Sequence, residues 1–200
     1  MPPQPPPNTT APHPDVAHFL AIPWCRTLIT ASPTLQVHPC ITRTPKPDHE
    51  EALMGTTLNS PSAVAGFILF YELPAPAPTP AILTSVSALL TLGPLLNGWR
   101  GVCHGGIIMT VLDEVLGQIP ALNRERGAVP DLTTLTAYLN TRFEAPVRTD
   151  EAPGGKTVLV RARLTRHEGR KMWIEGEMED EGGRVLARAE ALFVQIKEKL

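Results

Sequence analysis

The feature that most constrains this chain is one long apolar helix set among segments of strand-like alternation. Residues 103–117 read CHGGIIMTVLDEVLG. At about 100° per residue, Ile107, Ile108, Met109, Val111, Leu112, Val115 and Leu116 cover an arc of about 200°. That is wider than one sheet face requires, so the helix, spanning about 104–118 with Pro120 closing it, is expected to be covered nearly all round. Downstream the period changes to two. Leu135, Ala137, Leu139 and Phe143 alternate with Thr134, Thr136, Tyr138, Asn140 and Arg142, the pattern of a half-buried strand. Residues 156–166 alternate likewise, with Val158, Val160, Ala162 and Leu164 on one face. The stretches 169–180 and 183–196 come next, each after a glycine-containing turn; the last also has a helix-compatible composition. Upstream, AVAGFILFYE (63–72) and AILTSVSALLTLG (81–93) read as two more strands, the second less distinct from a helix. One helix with six strands predicts an α+β fold, an antiparallel sheet wrapped around one long central helix.

Proline divides the chain. Seventeen of the 22 prolines fall in residues 1–80, so most of the core belongs to the remainder of the chain. Residues 1–14 are expected to be a disordered, proline-rich tail. Residues 15–61 are expected to form a short helix capped by Asp15, a turn at Pro23 and an extended connector, and residues 62–198 the folded domain. A net charge of −2 argues against nucleic acid as a partner. No apolar run reaches the roughly 20 residues that span a bilayer, so no membrane partner is expected. The N-terminus has no secretory signal and no arginine before Arg26, which makes a cytoplasmic protein the default. Three cysteines without CxxC spacing give neither a disulfide framework nor a zinc site. His104 and Asp113 are too far apart on one helix to share a metal, so no metal and no cofactor are expected.

Between the apolar positions of the helix runs a stripe of Gly106, Thr110, Asp113 and Gly117. Three of the four are small, which lets a ligand or another backbone approach one carboxylate closely. The paired glycines at the start leave first-turn N–H groups, which have no partner inside the helix, open to an oxyanion. An N–H cradle and a carboxylate two to three turns along one helix suit acyl transfer. Glu114, about 100° around the helix from Asp113, is expected to be a surface or subunit-contact charge. Cys103 beside His104 reads as a buried thiol rather than a nucleophile with its base.

The stretch GVCHGGIIMTVLDEVLG resembles the HGG-x6-D/E helix of the hotdog-fold acyl-CoA thioesterases of the phenylacetate and 4-hydroxybenzoyl-CoA type. TTLTAYLNTRFEAPV (133–147) is similar to the strand that comes after it in that family, and residues 169–194 to the last hairpin. FLAIPWCRTLI resembles the lead-in of fungal members. The resemblance covers about residues 62–196. It implies a hotdog fold that hydrolyses an acyl thioester to acid and thiol. Asp113 would be the carboxylate that attacks the thioester or activates water, the N–H of Gly105 would polarise the carbonyl, and His104 would shape that corner. Thr136 would orient the water from a partner subunit, which implies a homodimer or a dimer of dimers. Relatives place an asparagine six residues before the histidine; Gly98 stands there, and Asn97 is either that donor or a plain turn residue. Gly106 and Thr110 would face substrate. The turn Gly169–Arg170–Lys171 either holds coenzyme A phosphates or is merely solvated. The alternatives are a hotdog protein acting on carrier-bound polyketide or fatty acyl chains, and a non-hydrolytic acyl-thioester binder.

Overall fold

The computed structural model describes residues 11–75, 77–152 and 154–197. In chain order the elements are α1 (Pro14–Leu20), α2 (Pro23–Ile29), β1 (Leu35–Pro39), β2 (Val64–Glu72) and β3 (Ser85–Leu92). They continue with β4 (Asn97–Trp99), β5 (Val102–Cys103), α3 (Gly105–Glu125), β6 (Thr133–Phe143), β7 (Lys156–Glu168), β8 (Lys171–Glu179) and β9 (Val185–Ile196). Seven strands form one sheet in the order β1-β2-β3-β7-β8-β9-β6, every neighbouring pair antiparallel. Helix α3 lies across one face, touching β3, β6, β7, β8 and β9, and this is the hotdog arrangement. Val158, Val160, Ala162, Met172, Ile174 and Met178 point towards it, meeting Val111, Leu112, Val115, Leu116 and Ile119. The alternate residues point the other way, where Phe19, Cys25 and Ile29 of α1 and α2 cover Ile68, Phe70, Leu89 and Leu159.

All six expected strands are present. The connector adds a seventh, because β1 pairs along β2 from Leu35↔Glu72 to Pro39↔Ile68. Its residues Leu35 and Val37 also pack on the α1–α2 cluster, so Leu35–Pro39 of the connector is built into the sheet. Of the proline-rich tail 1–14, residues 1–10 lie outside the described residues, while His13, not the expected Asp15, caps α1 and Pro14 begins it. Where a turn was expected, Pro23 starts the second helix.

The structure corrects three further expectations. Pro120 does not close α3, which runs on to Glu125. The proline deletes one amide hydrogen bond, and burial beyond it offsets that cost. Ile119 and Leu122 are buried, and the enclosed Asn123 side chain ties the helix to the approach of β3. Its Oδ1 accepts from Leu83 N–H at 2.7 Å, and its Nδ2 donates to the Leu83 and Ile119 carbonyls at 2.9 Å each. The helix is also not covered all round: Met109 stays 36% exposed, on the side that carries Gly106 and Thr110. Finally, α3 is by length and composition apolar enough to cross a membrane, although no such run was expected. Its packing against the sheet accounts for that composition.

Candidate active site

The start of α3 is assembled by backbone. His104 N–H donates to the Leu96 carbonyl at 2.8 Å, and Cys103 N–H to that of Val147 at 3.0 Å. The His104 ring then caps the helix, with Nδ1 accepting from Gly106 N–H at 2.9 Å. An imidazole accepting at Nδ1 carries its proton on Nε2. Gly106 is thereby satisfied, and the Gly105 N–H, first in the helix, remains a donor without an intrahelical acceptor. A Cβ on Gly105 would stand 3.4 Å from the Phe143 ring, so the helix start lies against the end of β6. Thr110 turns inward, its hydroxyl donating to the Gly106 carbonyl at 2.9 Å, so its proton is already engaged within the helix.

Asp113 lies eight residues past Gly105, about 12 Å along the axis, and is half-buried. Thr136 Oγ1 donates to Asp113 Oδ1 at 2.9 Å. The resemblance placed this hydroxyl on a partner subunit; here acid and hydroxyl meet within one chain. A bulge makes this possible. The register of β6 on β9 shifts between Thr136 and Tyr138, and the extra residue, Ala137, reverses the alternation. Thr136 therefore sits opposite Phe193 on the helix side with Leu139, while Leu135 and Tyr138 face outward. The expected face of Leu135, Ala137 and Leu139 is thus divided, which is what aims Thr136 at the acid.

Asn97 stands opposite Cys103 in the β4–β5 hairpin, next to the helix cap. Its Oδ1 accepts from Thr149 Oγ1 at 2.6 Å, and Thr149 is only 3% exposed. Nothing in the spacing of the sequence pointed to Thr149, which lies 52 residues away. The turn at Gly169 (φ 56°) is held by Arg170, which donates to the Gln195 carbonyl at 3.1 Å, whereas Lys171 is exposed. Lys171 faces Val194, which faces Leu135, so this turn shares the end of the sheet that carries Thr136.

Glu114 is not a surface charge. It faces the connector, and burial pushes its carboxyl above the usual range; hydrogen bonds from Thr42 and Gln118 oppose the rise, and Glu51 and Asp113 add to it. The unfolded chain gives up this proton at a lower pH than the folded one, so ionisation costs stability as pH rises past the ordinary glutamate value. Glu114→Gln keeps an acceptor for Gln118 without the charge. We expect it to be more stable than wild type by about 1 kcal/mol at pH 8, the scale of one imperfectly paired buried group. The gain should vanish below about pH 4. Denaturation midpoints across that range check it. The thiols give no competing chemistry: Cys103 is 4% exposed and burial pushes it up to about 11, far from the thiolate a nucleophile needs. Among the described residues no group of His, Cys, Asp and Glu could hold a metal.

Residues 100–187 match the model of the thioesterase superfamily. The chain is 31% identical over 105 residues to the acyl-coenzyme A thioesterase THEM4 of Bos taurus, covering 52% of this chain and 38% of that protein. It is 27% identical over 147 residues to the Saccharomyces cerevisiae protein named as uncharacterized mitochondrial membrane protein FMP10, covering 73% of this chain and 54% of that one. A Candida albicans protein, named only as mitochondrial and uncharacterized, is 34% identical over 90 residues, 44% of this chain and 35% of its own length. The chain thus spans about half or less of these relatives. The cytoplasmic expectation does not stand: two fungal relatives are named mitochondrial. It rested on the make-up of the first residues alone.

Proposed function

Because residues 100–187 match the model of the thioesterase superfamily, we propose that this chain hydrolyses an acyl thioester of the coenzyme A type to free acid and thiol. The observation that carries the reading is the Asp113–Thr136 contact at 2.9 Å. The Gly105 N–H of the same helix lies about 12 Å along its axis, too far to reach the same carbonyl, so the donor that works with this acid comes from a second copy of the chain. A thioester carbonyl polarised by that donor accumulates negative charge on oxygen as it is attacked, and a fixed N–H stabilises that charge without reorganising. The attacking oxygen belongs either to Asp113 itself or to a water that loses its proton to Asp113. In both cases the C–S bond breaks and the thiolate leaves to take up a proton. Where Asp113 itself attacks, the mixed anhydride it forms is then hydrolysed by water, which releases the acid and restores the carboxylate. Thr136 holds one carboxylate oxygen, which restrains the rotamer of the acid. His104 shapes the donor corner through its bond to Gly106, and the Gly169–Arg170–Lys171 turn offers positive charge for coenzyme A phosphates at the end of the sheet that carries Thr136.

A second copy of the chain belongs to the reading. The eleven-residue β6 is an edge strand, with Leu135 44%, Tyr138 38% and Phe143 51% exposed. A long edge of this kind with outward apolar side chains pairs readily with another strand. We expect light scattering to give a dimer or larger, and a fully active monomer at micromolar concentration would remove the partner from the site. The function itself is tested by thiol release from short-, medium-, long-chain and aromatic acyl-CoAs. Turnover on at least one supports hydrolysis. Saturable binding without turnover on any of them overturns it and favours carrier-bound substrates or simple binding.

A further inference from the structure

We infer that Thr149 is a positioning residue for the reaction: by donating to Oδ1 of Asn97, it presents the Asn97 Nδ2–H as a second donor to the thioester oxygen, beside the Gly105 N–H. This rests on the thioesterase reading above. It concerns a residue that touches no substrate and acts through another side chain.

The placement of Thr149 does not depend on its own side chain. Segment 147–149 is joined to the β4–β5 hairpin by one antiparallel bridge. The Val147 carbonyl accepts from Cys103 N–H at 3.0 Å, Thr149 N–H donates to the Gly101 carbonyl at 3.0 Å, and Val102 bridges Arg148. Val147 is fully buried. Two backbone hydrogen bonds, which together make the Val102–Arg148 bridge, thus fix the Thr149 backbone before any side chain chooses a rotamer. At 3% exposure that hydroxyl has no access to bulk water and must find its partner in the protein. The partner is Asn97 Oδ1 at 2.6 Å.

An amide side chain has one acceptor end and one donor end. Committing Oδ1 to Thr149 leaves Nδ2, which makes no hydrogen bond among the described residues, as the free end. The reverse orientation would turn a carbonyl oxygen towards the corner where an oxyanion forms, and that arrangement repels. Asn97 is close enough to matter. It pairs with Cys103, the residue before the cap, and a Cβ on its neighbour Gly98 would stand 2.7 Å from the His104 ring. The hairpin is therefore pressed against the residue that precedes Gly105.

The test compares Thr149→Val, Thr149→Ser and Asn97→Asp. Valine keeps the shape and deletes the donor; serine keeps the donor and deletes the methyl group. The carboxylate introduced by Asn97→Asp still accepts from Thr149 but has no N–H, so it separates the donor from the fold. We expect kcat to fall roughly 10- to 100-fold in Thr149→Val with KM within about twofold, and at least as far in Asn97→Asp. Thr149→Ser should stay within about threefold of wild type. A turnover-independent readout uses the ketone analogue of octanoyl-CoA in which CH2 replaces sulfur, 13C-labelled at the carbonyl. Its carbonyl resonance should move downfield on binding wild type and Thr149→Ser, and less on binding Thr149→Val or Asn97→Asp. Equal shifts in wild type and Thr149→Val overturn the proposal, even if no acyl-CoA is hydrolysed. So does a Thr149→Ser variant as impaired as Thr149→Val. Failure of wild type to turn over any thioester, with the shifts behaving as expected, instead removes hydrolysis and leaves Thr149 in its role.

Discussion

Asp113→Asn is expected to lower thiol release from the preferred acyl-CoA roughly 10²- to 10⁴-fold, the range a positioned general base supplies. Stability should be nearly unchanged. Asparagine keeps the oxygen that accepts from Thr136 Oγ1, so the 2.9 Å contact survives the substitution. Only the negative charge and the basicity disappear, and these are what nucleophilic attack or water activation requires. The pairing of outcomes is what makes the experiment informative. A dead enzyme with a wild-type denaturation midpoint assigns the loss to chemistry. An Asp113→Asn variant within tenfold of wild type would transfer the work to another group, and Glu114 is the nearest carboxylate in sequence. Glu114, however, faces the connector with Thr42 and Gln118 rather than Thr136, so it cannot serve the same substrate pose. The measurement is a single-turnover and steady-state comparison on one acyl-CoA, with thermal unfolding recorded on the same preparations.

How much of this was legible in the sequence depended on whether the signal was periodic. The central helix was visible because seven apolar residues repeat at helical spacing, and the acid because it stands in a stripe of small residues. Strands β7 and β8 were visible through strict alternation. The end of α3 was not: a proline rule is local, and the partners that carry the helix past Pro120, Asn123 and Leu83, lie 40 residues apart. The aim of Thr136 was hidden for a related reason. Alternation assumes an unbroken pleat, and one extra residue at Ala137 exchanges the two faces. Read without the bulge, Thr136 belongs to the outward side and the contact with Asp113 should not exist. Strand β1 was hidden by the prolines around it, which read as a connector although an edge strand tolerates them. Glu114 could not be placed from the helix alone, because what buries it is the connector. The site is thus half written in α3 and half in pairings between distant segments, which only the fold brings together.

The buried pair that anchors the N-terminal segments should give the largest loss of stability. Arg43 Nε lies 2.9 Å from Asp15 Oδ2, with side chains only 10% and 11% exposed. Each charge is also held by backbone: Arg43 donates to the Val64 carbonyl at 2.8 Å, and Asp15 accepts from Phe67 N–H at 3.4 Å. One contact therefore ties α1 and the connector to β2. Removing a single partner leaves the other as an uncompensated charge away from water, so Arg43→Met should cost about 3–5 kcal/mol. Asp15→Leu combined with Arg43→Met should recover much of that, because no charge is then left buried; double-variant denaturation curves decide it. The catalytic reading adds a second requirement. β2 and β6 are separated by five strand steps in the sheet, about 24 Å at the usual spacing, and Asp113 and Thr136 lie at the β6 end. Turnover per folded molecule should therefore stay near wild type in Arg43→Met at a temperature where the variant remains folded. A proportional loss of kcat instead would mean that the N-terminal segments shape the acyl site directly, through the connector that covers Glu114 one residue from the acid.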